Sequence, residues 1–419
     1  MIVYTIMQAD IIFLFILIVE VFFLCLVEHR LWNTWLTPAI SLSVPFTAVT
    51  IVAAVVSTVS DDIPDIYYPA LIVWIVGIPF FMIPSVLLAP ANKKMPFYAD
   101  ISNKNDDYYK LFRNIAFVIV AINMMRLRSA MLVSAFTFGS DELSEEYEAT
   151  GVLAHLNQLL YAIFPYMMYK ADKFHKSAYL IIVLTMVSMF AVAVKSWIII
   201  PLFAGMFLRI HMGKTKLGIK VILVPIICGA LVFFVSYYFI MVVSGQSELS
   251  SEWFEYLYYH FVDYLIGGVL AFTQDFQQGI LEPVMTESLF GPLVNIYKAL
   301  TGGEFVNVIN PIYYPLGELG ENNVRTFMGT ILCYSHDIGF SIVFVSLMST
   351  MLYMYFLMSK HTYSIFIIIA SCYNIAFLAF GFFDFYWLTL SSYEIPIICL
   401  VISCCLFSKH SPLLAHEKV

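Results

Sequence analysis

The residues of this chain that could do chemistry are few, and most lie between Val243 and Gly339, the one long stretch that is not continuously apolar. Near its end Asn322-Asn323-Val324-Arg325 is followed by His336-Asp337-Ile338-Gly339. A guanidinium beside amides can fork onto a phosphate, so Arg325 is a candidate phosphate ligand, with Asn322 and Asn323 beside it. A carboxylate or imidazole at the mouth of an apolar helix can be partly desolvated and brought towards the working pH. Asp337 and His336 are therefore candidate bases, and Asp337 is equally well placed to cap the helix that follows. Upstream, Tyr256, Tyr258, Tyr259, His260, Asp263 and Tyr264 crowd a helical repeat, with His260 and Asp263 one turn apart. Their aromatic company favours an interfacial role for His260 over catalysis, and the tyrosines form a belt of the kind that settles at the membrane–water interface.

Outside that stretch the sharpest candidates are Arg126 and Arg128, because ionisable groups within apolar spans are expensive to keep there. Two positions apart on a helix is about 200°, so both address one site only where the helix breaks or ends. Otherwise one of them snorkels to the interface. Lys195, at the tip of a helical hairpin, is either a solvated turn residue or an external cation for a phosphate. His155 and Glu20 read as internal polar groups. There is no Gly-rich phosphate loop, no nucleophile elbow and no metal-ligand spacing, which excludes a soluble nucleotide-dependent enzyme. The seven cysteines show neither a disulfide framework nor a zinc pattern. No metal, cofactor or nucleic-acid partner is expected.

The elements that must position these residues are membrane helices. The chain of 419 residues is 61% hydrophobic and 12% charged, against about 25% charged in soluble proteins, and its mean hydropathy is +0.86. Windows of about 20 apolar residues give eleven spans at roughly 8–27, 36–57, 68–89, 112–135, 152–169, 178–194, 196–210, 219–242, 338–358, 362–383 and 390–407. Ile11 to Val27 has no basic segment before it and no small-residue cleavage site after it, so it reads as a retained first span. Residues 1–419 then form one all-α polytopic domain, with 243–337 as a large external loop between spans eight and nine. Short cytoplasmic loops carry the excess of Lys and Arg. With the N-terminus outside and the C-terminus inside, 16 of the 21 basic residues fall on the cytoplasmic side. That asymmetry collapses if Ala178 to Arg209 is one helix rather than a hairpin. In the external loop, Glu252 to Gln278 predicts a helix on or in the outer leaflet, capped at Ser250 or Ser251. Irregular loop follows it until about Asn323.

At Asn323-Val324-Arg325-Thr326 and His336-Asp337-Ile338-Gly339, with Tyr264-Leu265-Ile266-Gly267-Gly268 and Lys195-Ser196-Trp197, the sequence resembles the Wzy-type oligosaccharide repeat-unit polymerases of O-antigen and capsule. It departs from their pattern at Arg325, where an aromatic is common, and at Ile338, where Phe is. The resemblance implies a GT-C-like glycosyltransferase of the bacterial cytoplasmic (inner) membrane. Such an enzyme uses a polyprenyl-diphosphate-linked oligosaccharide as substrate, needs no cofactor, and has a chain-length regulator as a further candidate partner. Asp337, His336 or His260 would take the acceptor proton, and Arg126, Arg128, Lys195 and Arg325 would stabilise the departing diphosphate. Tyr256, Tyr259, Tyr264 and Asn323 would hold the glycan. A lipid-linked oligosaccharide flippase and an O-antigen ligase are the rival expectations.

Overall fold

The computed structural model describes residues 2–94, 108–133, 147, 150–190, 196–218, 227, 229–231, 233–235, 237–238, 250–279 and 286–407. Among them are fourteen α-helices: α1 (Ile2–Trp32), α2 (Pro38–Val59), α3 (Ile72–Lys94), α4 (Tyr109–Val133), α5 (Gly151–Lys170), α6 (Lys176–Phe190), α7 (Ser196–His211), α8 (Ser251–Val262), α9 (Gly268–Gln277), α10 (Gly291–Thr301), α11 (Phe327–Ser335), α12 (Ile338–Lys360), α13 (Ile365–Ala379) and α14 (Ser391–Phe407). The protein is an all-α, multi-pass membrane protein. Five helical stretches are long and apolar enough to cross a bilayer: Ile11–Trp32, Pro38–Val59, Tyr68–Lys93, Tyr109–Leu132 and Ile338–Lys360.

Four further apolar helices, Lys176–Met189, Ile198–His211, Ile365–Ala379 and Ser391–Leu406, are shorter. At 1.5 Å per residue they reach at most about 26 Å, against about 30 Å of hydrocarbon. Length and composition therefore support five crossings where the sequence windows gave eleven, and the window at 219–242 falls largely outside the described residues. The break expected at Lys195-Ser196 falls at residues 191–195, which lie outside the described residues between α6 and α7. Arg209 Nη1 and Lys214 Nζ, at and just beyond the end of α7, donate to the carbonyls of Met168 and Tyr169 at the end of α5, each at 2.9 Å. The start of α6 follows that same end of α5 after a five-residue link, so α6 and α7 form a there-and-back pair.

The chain divides into two compact units interleaved along it. The first comprises Met1–Met95, Tyr258–Leu357 and Phe377–Tyr393, and the second Pro96–Leu257, Met358–Ala376 and Glu394–Val419. In the first unit, the C-terminal end of α1 is tied to α2, α3 and α12 through Glu28, which is fully buried. Tyr353 Oη donates to one Glu28 oxygen at 2.9 Å and Ser85 Oγ donates to the other, with the Thr37 hydroxyl also bonded to the carboxylate. Each of these hydroxyl oxygens accepts an N–H in turn. Ala39 N–H donates to Tyr353 at 3.1 Å, Ile40 N–H to Thr37 at 3.4 Å and the Trp32 indole to Ser85 at 2.8 Å. Ala39 and Ile40 belong to the first turn of α2, whose N–H groups have no helical acceptor.

The helix predicted over Glu252 to Gln278 forms as α8 and α9 joined by a π-turn at Asp263–Gly267. Ser250 caps it, accepting from Trp253 N–H at 3.2 Å. Its two halves differ from the expected surface helix: α8 exposes Phe254, Tyr256 and Tyr258, whereas Val269, Leu270, Ala271 and Phe272 of α9 are completely buried. Only a helix apolar on every side can be sheathed in that way. The loop expected before Asn323 contains a two-stranded hairpin, β1 (Tyr314–Pro315) with β2 (Glu321–Asn322), in antiparallel register Tyr314 to Asn322. Gly317, at φ 63°, turns it so tightly against the Asp62 carbonyl that a Cβ there would lie 2.2 Å from that oxygen.

Candidate functional site

The hairpin is held by Arg325. Its guanidinium is 1% exposed, and its Nε donates to Asp275 Oδ2 of α9 at 2.9 Å. Nη1 donates to the carbonyls of Asn322 and Val324, and Nη2 to that of Ile312 at 3.2 Å. Four N–H bonds from one planar fork fix the loop on both sides of the hairpin, a task for which the point charge of lysine is unsuited. Cys333 of α11 adds a thiol donor to the same Asp275 oxygen at 3.4 Å, and burial pushes that thiol well above its usual range.

Immediately after this knot Thr326 stands at φ 66°, ψ 168°, a region that β-branched residues scarcely enter and that costs about 1–3 kcal/mol. It is held there by four bonds. The Trp74 indole donates to its Oγ1 at 3.3 Å, its N–H donates to the Phe383 carbonyl at 3.1 Å, and its Oγ1 caps α11 through Gly329 N–H. Phe327 N–H donates to the Gly381 carbonyl at 2.6 Å. The strained segment is thereby stitched to the link between α13 and α14.

Two carboxylates hang from the segment so fixed. Asn322 Nδ2 donates to Asp263 Oδ1 at 2.8 Å, and Thr330 Oγ1 donates to Asp384 Oδ1 at 3.0 Å, with Phe385 N–H on the same oxygen at 2.7 Å. Desolvation raises each of these acids from 3.8 to about 6, against the lowering effect of its hydrogen bonds. Tyr264, next to Asp263, stacks on Phe383, next to Asp384, with ring centroids 5.8 Å apart and planes 7° from parallel. The glycines at 267 and 268 allow this approach: a Cβ on the first would collide with Asp263 and Asn322, and one on the second with the Phe383 carbonyl. The arrangement offers a carboxylate that takes up a proton near neutrality beside a ring face. Among the described residues no three His, Cys, Asp or Glu side chains converge as metal ligands.

The structure distributes the residues singled out by sequence among several places. His260 packs edge-on to Tyr264 at 5.2 Å and Tyr259 edge-on to Tyr258 at 5.5 Å, while Asn323 Nδ2 donates to the Asn310 carbonyl at 3.0 Å. His260, Tyr264, Asn323 and Arg325 thus belong to the constellation around Asp263 and Asn322. His336, exposed at φ 51°, ends α11 at its far end. Asp337 is exposed and accepts from Phe340 N–H at 2.7 Å, the geometry of an N-cap on α12. Tyr256, 55% exposed, belongs to the second unit and lies edge-on to Tyr237. Arg126 lies in the same unit with its guanidinium 5.5 Å from the Tyr147 ring centroid. Because α4 continues unbroken to Val133, Arg128 faces elsewhere and is exposed. Lys195 lies outside the described residues.

Sequence reasoning passed over Asp384 and Asp275, and placed Asp263 only as a neighbour of His260. A signal existed for Asp384, which is the sole carboxylate between Lys360 and Glu394. Residues 62–411 match a sequence family described as a family of unknown function (DUF6337). No curated protein and no solved structure matches the chain.

Proposed function

Because this chain belongs to the DUF6337 family, whose function is unknown, we propose its function from its own residues: it polymerises polyprenyl-diphosphate-linked oligosaccharide repeat units by glycosyl transfer at the outer face of a bacterial cytoplasmic membrane. The observation that carries this reading is the pair Asp263 and Asp384, both raised to about 6 and both fastened to the 322–330 segment of an all-α membrane protein. In the proposed reaction a sugar hydroxyl of one repeat unit attacks the anomeric carbon of another. The C–O bond to the diphosphate breaks, polyprenyl diphosphate leaves, and the hydroxyl proton passes to the carboxylate. A base with a pKa near the working pH is the form this step favours. Asp384 and Asp263 join Asp337, His336 and His260 as candidates and precede them, since Asp337 is already engaged as a helix cap. Tyr264 offers a ring face for a sugar. Arg325 serves by holding the segment that carries the acids. Eleven crossings with the N-terminus outside complete the proposal and place the acids at the outer surface.

A flippase for the same lipid-linked oligosaccharide is the second reading, favoured by polar side chains such as Asn123 buried at depth in α4. Deletion of the gene, with the surface glycan examined on a gel, separates the two. Loss of the long-chain ladder with single repeat units still attached is the result expected of a polymerase. Loss of all attached units, with carrier-linked units accumulating inside, indicates the flippase; accumulation outside indicates an O-antigen ligase. An unchanged glycan overturns all three.

A further inference from the structure

The second unit buries a layer of polar side chains left partly unsatisfied among the described residues. Asn123 of α4, Thr185 of α6 and Asn374 of α13 are 2%, 0% and 3% exposed. Asn123 Nδ2 donates to Asn157 Oδ1 of α5 at 2.8 Å. Yet Asn123 Oδ1, Gln158 Oε1, Thr185 Oγ1 and both amide atoms of Asn374 are buried with no hydrogen-bond partner among the described residues. The four helices meet at this level. Tyr373, next to Asn374, donates its hydroxyl to the Tyr161 carbonyl of α5 at 2.6 Å, and Tyr161 stands one turn from Gln158. Arg126, one turn from Asn123, lies over Tyr147, whose hydroxyl bonds Ser188, one turn from Thr185. All of these positions lie within about 15 Å of one end of their helices. At the first turns of α5 and α14, His155 Nδ1 and Glu394 Oε1 pair at 2.6 Å.

Hydrocarbon supplies no water to an orphaned amide, so leucine would pack at lower cost in the place of Asn374. Polar groups kept at depth against that cost mark a path or site for something polar. Amides and a hydroxyl present donors and acceptors side by side, the pattern that vicinal hydroxyls match, with the Arg126 guanidinium beside them for an acidic or phosphorylated sugar. We propose that this layer, built on Asn123, Gln158, Thr185 and Asn374, binds the sugar portion of the substrate. The identity of the ligand rests on the function proposed above.

The test is thermal unfolding of the purified full chain in detergent, with and without the free repeat-unit oligosaccharide released from its carrier by mild acid. Asn374→Leu is expected to unfold at or above the wild-type temperature, because it removes an orphaned amide, whereas Asn123→Leu also takes the donor from Asn157 Oδ1 and is expected to unfold somewhat below it. Each is also expected to bind the oligosaccharide about tenfold more weakly, so that its ligand-induced rise shrinks. An equal rise in wild type and variants, or no rise in the wild type at millimolar oligosaccharide, overturns the site. Should Asn123→Leu not fold, Thr185→Val removes one hydroxyl at nearly constant shape and is read the same way. Binding needs no turnover, so the two ideas fail separately. Binding with an unchanged surface glycan overturns the polymerase and keeps the site, whereas a lost ladder without binding does the reverse.

Discussion

The two ends of the helices in the first unit treat buried acids in opposite ways. At one end Glu28 receives three hydroxyl donors, and each hydroxyl oxygen also accepts an N–H. Donors from the start of α2, from α3 and from α12 thus converge on one carboxylate and tie the end of α1 to its neighbours. At the other end Asp263 takes one side-chain donor, and Asp384 takes two on the same oxygen, although a carboxylate offers about four acceptor positions. Burial then wins over hydrogen bonding and both acids rise to about 6. A fully supplied acid holds helices together; an under-supplied one is left able to exchange its proton. Asp275 lies between these cases, with one oxygen committed to Arg325 and Cys333 and the other without a partner among the described residues.

The comparison breaks most visibly at Arg325. Removing one partner of a buried, hydrogen-bonded ion pair leaves the other charge stranded, so Arg325→Met or Asp275→Leu should each cost about 3–5 kcal/mol, read as a fall in the thermal midpoint in detergent. The double variant should recover part of that loss; an additive loss would show that the two residues do not act as a pair. At the opposite end, Glu28→Gln replaces one of two acceptor oxygens by an amide donor where three hydroxyls donate, and should cost about 1–3 kcal/mol. A neutral Glu28→Gln would mean that the hydroxyls do not depend on both carboxylate oxygens.

Asp263 and Asp384 should behave in the reverse sense. Their folded pKa values lie above the usual 3.8, so between about 4 and 6 the folded state binds more protons than the unfolded state, and stability falls as pH rises through that window. Asp263→Asn and Asp384→Asn should each flatten this slope without lowering the midpoint at pH 7. An unaltered slope in both would show that these acids are not the raised ones. The smallest effect is expected at Asp337. Asparagine caps a helix as well as aspartate does, so Asp337→Asn should be nearly silent in stability, while Asp337→Ala should cost about 1 kcal/mol.

The all-α, multi-pass class was legible because apolar windows carry a strong signal in membrane proteins. The Ser250 cap and the long helix after it follow from local sequence. The candidate site was legible in part. Arg325 was visible as a rare cation, but nothing local reveals that Asp275, fifty residues earlier, meets it and turns a phosphate fork into a structural knot. Asp384 lies among Phe380-Gly381-Phe382-Phe383 and Phe385, where an apolar window absorbs one acid. Only the pairing of Thr326 and Phe327 with 381–383 brings it beside Asp263's own support. Asp337 drew attention because it stands where two segments meet, which is also where helix caps are found.

The central claim is that the under-supplied acids carry the chemistry. It is tested most directly by complementing a deletion strain with Asp384→Asn and, separately, Asp263→Asn, confirming equal protein in the membrane, and examining the surface glycan on a gel. The account predicts that at least one variant leaves single repeat units and no ladder. A full ladder from both would contradict it.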